Sequence, residues 1–457
     1  MNATTPTRRT GWLDAAAAEF ASGMPAHLDR LRWSPERIRM HQTERLRALL
    51  AAARGRSRFH RQRLEGVDPA RFELELLASL PVMTKAVMME RFDDVVTDPR
   101  VTATAIDAHL ASQGSEPTLL LDEYLALASG GSSGLRGVFV YHRDAVAPYV
   151  CSILRTGMAR IAAMAGWPPP FPIPVTIVAA PSAIHATGST AHLVRSIAEL
   201  TFTPATLPFD EIVHRVRGSR PMLLCGYTSL IARLADEQAA GNLEIAPEMV
   251  IVTAEQLTPE LRDRICAGFG SPPANAFASS EGLNASAPPG SDEFTFASDM
   301  AIVEFVDSHD QEVPAGEVAD HVLVTSLINH AQPLIRYRLD DRMIPLPPAS
   351  DHGHQRAKVE GRSDDIVRIG NVTVHPLTIR SAMLRHPTIG EYQVLVGDRA
   401  LTLLVVPSRP VDVDALRHDV TMALAGAGAP APSIEIRTVD QITRDPRTGK
   451  AKRFITI

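Results

Sequence analysis

The 457-residue sequence is poor in cysteine, in lysine and in aromatic side chains, and each shortage removes a class of function. Its three cysteines, Cys151, Cys225 and Cys266, lie far apart with no CxxC or Cys/His cluster. That argues against a disulfide framework and a thiolate zinc site, and a reducing cytoplasm is the expected location. Aromatics make up only 5% and acidic groups outnumber basic ones by 52 to 46, so the chain carries neither a base-stacking platform nor a basic footprint for nucleic acid. A membrane-spanning run is also missing. Residues 161–194 contain no Asp, Glu, Lys or Arg, but Pro168, Pro169, Pro170, Pro172 and Pro174 interrupt any helix there, and a buried strand over 175–180 is the better reading. The opening residues lack the apolar core of a secretory signal and are expected to form a loose tail.

What is present is a hydrophobic share of 45% on a chain long enough for two to three domains. The first hundred residues read as mainly helical, with helices expected over 34–65 and 84–92. From Ala126 onward apolar strands alternate with amphipathic helices: strand 138–141, helix 145–165, strand 175–180, helix 191–200, strand 221–225 and strand 249–253. Thr258-Pro259-Glu260 then starts a helix that stops near Gly268, because a hydroxyl cap, a first-turn proline and a carboxylate all suit a helix N-terminus. Strands are expected at 301–306 and 321–326. The last hundred residues, after a boundary near Gly361, read as an α+β unit: a hairpin turning at Gly370-Asn371, a helix over 377–385, strands 391–397 and 400–406, and a helix over 413–425.

The strongest local chemical signal is Ser129-Gly130-Gly131-Ser132-Ser133-Gly134, where glycines permit close approach and hydroxyls and amides can surround phosphate oxygens. As an isolated hexapeptide it fits a flexible linker equally well. It is neither a P-loop nor a GxGxxG fingerprint. Arginine supplies 42 of the 46 basic residues, so the four lysines, Lys85, Lys358, Lys450 and Lys452, stand out. Lys450 follows Asp445-Pro446-Arg447-Thr448-Gly449, a turn able to project an ammonium toward an anion, though a solvated tail also fits. Asp340-Asp341 and Asp364-Asp365 are adjacent pairs whose side chains diverge on a strand, which suits a ribose diol or a surface ion pair better than paired acid–base work. Phe277-Ala278-Ser279-Ser280-Glu281-Gly282 places a hydroxyl and a carboxylate where a strand gives way to a loop, the usual ligand edge of an α/β sheet. Asp351, His352 and His354 read as a polar loop rather than a metal site.

In order and spacing these segments resemble the adenylate-forming superfamily, specifically its phenylacetate-CoA ligase-like branch. The resemblance runs from Leu80-Pro81-Val82-Met83-Thr84-Lys85 through residues 129–134, Gly226-Tyr227-Thr228-Ser229, Ala254-Glu255-Gln256-Leu257, residues 277–282, Pro333-Leu334-Ile335-Arg336-Tyr337-Arg338 and Gly361-Arg362-Ser363-Asp364-Asp365 to Thr448-Gly449-Lys450. It implies an α/β large N-terminal domain with mixed sheets and flanking helices over 1–360, the first 110 or so residues being a helical lead-in. A small mobile α+β C-terminal lid domain would follow over 361–457. It implies ATP, Mg2+ and coenzyme A as cofactors and co-substrate, and a small carboxylic acid, expected to be aromatic, as substrate. Ser129 to Gly134 would hold the β- and γ-phosphates, Ala254, Glu255 and Phe277 would lie near the nucleotide, and Ser280 and Glu281 would meet the α-phosphate and the metal. Asp341 would bind the ribose, with Arg362 nearby, and Asp364 would be the hinge. Lys450 would promote adenylation, and His185, Tyr227 and Ala276 would line the acyl or thiol pocket. An amine or a carrier-protein thiol as acceptor, a homodimer, and a nucleotide-binding homologue without turnover remain open alternatives. Departures from the family pattern are Leu135-Arg136, Phe277-Ala278 and Asp340.

Overall fold

The computed structural model describes residues 11–444 and 451–457, apart from 115, 129–136, 170–171, 181–185, 197, 363–366, 370–371, 375–378, 380–381, 384–385, 387, 398, 408–409, 427–428 and 430–431. The expected N-terminal tail, the Gly370-Asn371 turn and most of the expected helix over 377–385 lie outside the described residues. The chain divides into two compact units, Met1–Glu360 and Gly361–Ile457.

The larger unit is organised on a nine-stranded mixed sheet. Its parallel half runs, from the edge inward, Ala198–Pro204, Ile173–Ala179, Leu223–Tyr227, Met249–Thr253 and Ala274–Ala278. Asn284–Ala287 and Glu293–Phe296 extend it antiparallel, and Arg356–Arg362 and Asp341–Pro345 complete it. Beside it stand a three-stranded sheet, Ala301–Val306, His321–Ser326 and Tyr337–Leu339, and a two-stranded hairpin, Tyr124–Ala128 with Val138–His142. In the smaller unit a four-stranded sheet, in the order Ser433–Thr438, Ala400–Pro407, Ile389–Val396 and Phe454–Thr456, packs its apolar side chains with those of helix Val413–Gly426. The short antiparallel pair Val367–Ile369 and Val372–Val374 completes the described part.

Local rules account for most element ends. In helix Pro259–Phe269 the Thr258 hydroxyl accepts the Leu261 N–H and Gly270, at φ +75°, closes the C-terminus in the left-handed region. Two expectations need correction. The helix expected over 34–65 is two helices, Pro35–Arg56 and Arg58–Arg63, because Ser57 is extended, caps the second helix through its hydroxyl, and donates that hydroxyl to the Asp94 carbonyl 2.8 Å away. The helix expected over 191–200 is a short helix, Ala186–Ala191, a 3-10 turn, His192–Ser196, and then the edge strand Ala198–Pro204. Pairing with Ile173–Ala179 overrides the modest helical bias of Ala198, Glu199 and Leu200.

Helices Thr228–Ala239 and Pro259–Phe269 pack so closely that a Cβ on Gly268 would lie 2.6 Å from the Cα of Ala235. Gly268→Ala is therefore expected to cost about 1–3 kcal/mol, the usual penalty of overpacking, in urea unfolding. A second stabilising cluster joins the N-terminal helices to helix Arg143–Ala165: Asp299 is bound by Arg155 at 2.7 and 2.9 Å, with Arg30 at 3.6 Å. Burial, reinforced by Arg155 at both rings and by Arg30 at His27, holds His27 and His354 down at about 4. Below about pH 6.5 the unfolded chain takes up protons that these folded rings refuse, so stability falls as the pH drops from there toward 4. His27→Gln is expected to flatten that acid limb in urea midpoints measured against pH, and an unchanged slope would remove His27 from it.

Candidate active site

Parallel register brings three separate sequence segments into one row. Tyr227 pairs with Thr253, and Thr253 pairs with Ala276, so strands 223–227 and 249–253 end at one level while strand 274–278 runs two residues further. Thr253 donates its hydroxyl to the Ala276 carbonyl at 2.8 Å, tying two of these strands across the ladder. Such an edge is where open α/β sheets present ligand sites. Phe277, one residue beyond the row, is partly buried and meets Phe294 edge-on at 6.4 Å, leaving part of its ring surface accessible.

Tyr227 and Glu255 brace this edge. The Tyr227 ring is 1% exposed and its hydroxyl accepts the Ala180 N–H at 3.0 Å, joining the end of strand 223–227 to the residue after strand 173–179. It is thus a buried support rather than an open pocket wall. The chain leaves strand 249–253 through Ala254, a non-glycine residue at φ +64°, a conformation that costs about 1–2 kcal/mol and persists only where neighbours enforce it. The enforcement is visible: the Glu255 carboxylate accepts the Ser229 N–H at 2.8 Å, and the Thr228 hydroxyl donates to the Glu255 carbonyl at 3.0 Å. Glu255 thereby caps helix Thr228–Ala239, where its charge complements the helix dipole. Gln256 next to it donates to the Glu360 carbonyl at 3.3 Å.

The turn after strand 274–278 is the most tightly held segment of the site. Tyr149 donates its hydroxyl to the Ser279 carbonyl at 3.0 Å, and Tyr141 donates to the Ser280 carbonyl at 2.7 Å. Asn284 accepts the Ser279 N–H at 3.1 Å and donates to the Ser152 hydroxyl at 2.6 Å. Glu281 is 6% exposed. Burial above all, with the neighbouring Glu281 charge adding to it, pushes both tyrosines well above the ordinary phenol range, so they stay protonated donors. Gly282 sits at φ +93°, and a Cβ there would lie 3.1 Å from the Ser326 hydroxyl and 3.3 Å from that of Tyr141. Both the backbone and the space demand glycine. The donors offered by Ser280 and Glu281 are oxygens, the kind a hard cation such as Mg2+ takes.

The adjacent acids Asp340 and Asp341 separate as strand alternation requires. Asp340 forms a half-exposed ion pair with Arg338 at 2.9 Å, whereas Asp341 is 6% exposed at the start of strand 341–345. Arg336 explains why two distant motifs occur together. Its buried guanidinium binds Glu304 at 2.9 Å and donates to the carbonyls of Ala78 and Leu80 at 2.9 and 2.7 Å, while its own carbonyl accepts the Met83 N–H at 2.9 Å. Segments 80–85 and 333–338 are one structural unit. The glycine-rich segment itself, Ser129 to Gly134, lies outside the described residues, as do His185, Asp364, Lys450 and the side chain of Arg362. Its two stems are described: Ala128 pairs with Val138, and strand Val138–His142 has its backbone bound by the side-chain amides of Gln332, at 2.8 and 3.0 Å, and Asn329, at 2.9 Å. His352 and His354 belong to a structural loop; His354 bonds the Ser298 N–H and the Arg30 carbonyl.

Sequence reasoning missed Tyr141, Tyr149, Ser152, Asn284, Asn329 and Gln332. The chain has only six tyrosines, and two of them follow the glycine-rich segment within twenty residues, which was the available signal. Gly282→Ala is expected to disturb this turn: amide hydrogen exchange over 279–284 should speed at least tenfold while the circular dichroism spectrum is retained.

No family model matches the chain. In sequence it is 29% identical over 168 residues to a phenylacetate-coenzyme A ligase of Aromatoleum evansii, a match covering 33% of this chain and 37% of that protein. The chain thus spans little more than a third of that relative's length. A phenylacetate-coenzyme A ligase of Thermus thermophilus is 25% identical over 79% of this chain and 78% of its own. In fold it is similar to 2-hydroxyisobutyryl-CoA ligase, crystallised in the postadenylation state with an acyl-adenylate, at a TM-score of 0.70 and 18% identity, covering 95% of this chain and 92% of that one. The large unit with mixed sheets and the small α+β unit agree with that fold. In sequence and in fold alike, the chain resembles the acid–CoA ligases of the adenylate-forming superfamily and its phenylacetate-CoA ligase-like branch.

Proposed function

We propose that this protein activates a small carboxylic acid, aromatic by preference, with ATP as an acyl-adenylate and passes the acyl group to coenzyme A. The observation that carries this reading is the row at the strand ends. Tyr227, Thr253 and Ala276 are cross-strand neighbours, so the segment around Glu255 and the strand end and turn from Phe277 to Glu281 lie along one edge of the sheet. The larger unit would be the adenylation domain and the smaller one its lid.

Both reactants are anionic: the substrate carboxylate must reach the α-phosphorus of ATP, and pyrophosphate must leave with its negative charge. Catalysis of this kind rests on positioning and on fixed charge. In our reading Ser129 to Gly134 surround the β- and γ-phosphates, Phe277 lies against adenine, and Asp341 accepts the hydroxyls of the ribose, with Arg362 close by. Glu281 and Ser280 would hold Mg2+, which would supply positive charge facing the departing pyrophosphate. Ala276 and His185 border the acyl group, with Tyr227 supporting that wall from beneath. Lys450 brings an ammonium between the attacking carboxylate and the α-phosphate, and a turn about Asp364 exchanges one set of lining residues for another before the thiol attacks.

Lys450→Ala is the direct test. Acid-dependent pyrophosphate release should fall by about 10²-fold or more, the usual effect of removing one charge-stabilising donor, while the melting temperature stays unchanged. Release equal to that of the parent would disprove the role of Lys450. Incubation of the parent chain with ATP, phenylacetate and coenzyme A should yield acyl-CoA by mass spectrometry; a persistent acyl-adenylate without thioester would direct the second half-reaction to another acceptor.

A further inference from the structure

The turn at 279–282 is held by its carbonyls, and that has a geometric consequence. In a trans peptide the C=O of one residue and the N–H of the next point in opposite directions. The only cis bond recorded among the described residues is Trp167-Pro168, so both peptides here are trans. With the Ser279 carbonyl drawn to Tyr149 and the Ser280 carbonyl drawn to Tyr141, the N–H groups of Ser280 and Glu281 face away from the two tyrosines.

We infer that Tyr141 and Tyr149 are positioning residues for the adenylation step, aiming the N–H groups of Ser280 and Glu281 at the phosphoryl group under attack. The inference rests on the functional reading above and adds to it the residues that make the turn rigid. Three observations converge on it. Both phenols are fully buried and packed on each other, with ring centroids 4.6 Å apart and planes tilted by 33°, so neither hydroxyl can swing to water. They arrive from different elements, Tyr141 from strand Val138–His142 and Tyr149 from helix Arg143–Ala165, so the turn is fixed against two bodies at once. The helix makes a second attachment one turn further on, where Ser152 accepts from Asn284 and donates to the Tyr149 carbonyl at 2.6 Å. Donors fixed before reaction begins pay no reorganisation when charge develops, which is why small displacements of such donors are costly.

The test uses Tyr141→Phe, Tyr149→Phe and the double variant in the full chain, with Ile265→Val, a core change in helix Pro259–Phe269, as a stability control. Three readouts are taken: amide hydrogen exchange of peptides covering 277–287, the midpoint of Mn2+ binding with ATP by electron paramagnetic resonance, and acid-dependent exchange of ATP with pyrophosphate. The single variants are expected to speed amide exchange at 279–284 at least tenfold, to weaken Mn2+ binding at least fivefold and to lower kcat at least tenfold, with KM for the acid unchanged. The double variant should exceed either single one. Faster amide exchange with unaltered Mn2+ binding and kcat would overturn the inference, as would equal losses in Ile265→Val, since both describe a merely structural hydrogen bond. A parent chain that binds no Mn2+ with ATP would instead overturn the functional reading, and the exchange arm would then report separately whether the tyrosines hold the turn.

Discussion

Parallel strands can share an edge only if their ladders run in step, and the architecture of this protein depends on one such coincidence. Tyr227 and Thr253 end two neighbouring strands at one level, beside Ala276 of the next strand. A slip of one residue in any ladder would turn its alternate side chains to the other face. The register is protected on both sides: Tyr227 ties the row to Ala180, and the Thr253 hydroxyl ties it to Ala276. Beyond Thr253 and Ala278 the chain turns, at Ala254 and at 279–282.

Those turns are held by buried polar side chains rather than by more apolar packing. Glu255 caps a helix, Arg336 holds segment 78–83 through its carbonyls and N–H groups, and Gln332 and Asn329 occupy backbone groups of strand 138–142. Arg336, Gln332 and Asn329 are buried and expensive to leave unpaired in a low-dielectric interior, so each specifies a single arrangement where apolar packing would tolerate several. Arg336 shows the cost most clearly: its guanidinium is buried and its backbone is at φ +50°, two unfavourable features sustained by Glu304, Thr325 and three main-chain contacts.

Much of the fold was legible in the sequence where the controlling interaction is local. Thr258-Pro259-Glu260 announced its helix because a cap, a fixed φ and a dipole contact act within one turn. The alternation of strand and helix after Ala126 was readable for the same reason. The strand at 198–204 was misread because its conformation is decided by a neighbour 25 residues earlier, and the break at Ser57 because it answers to Asp94. For the candidate site, pattern and likeness singled out Ser280, Glu281, Phe277 and Asp341. The residues around Ser280 do not point to the tyrosines that hold this turn, since Tyr141 reaches Ser280 across 139 residues.

By itself the sequence determined the inventory: oxygen donors and glycine at 279–282, scarce lysine, no cysteine cluster, strand and helix periods, and the order of the motifs. Only the tertiary structure decided which of two adjacent acids is buried, which carboxylate caps a helix, and which hydroxyls hold the turn. The physical reason is range. Periodicity and capping act over one or two turns of chain, whereas a buried hydrogen bond is chosen by whatever donor the completed packing brings within 3 Å of an acceptor.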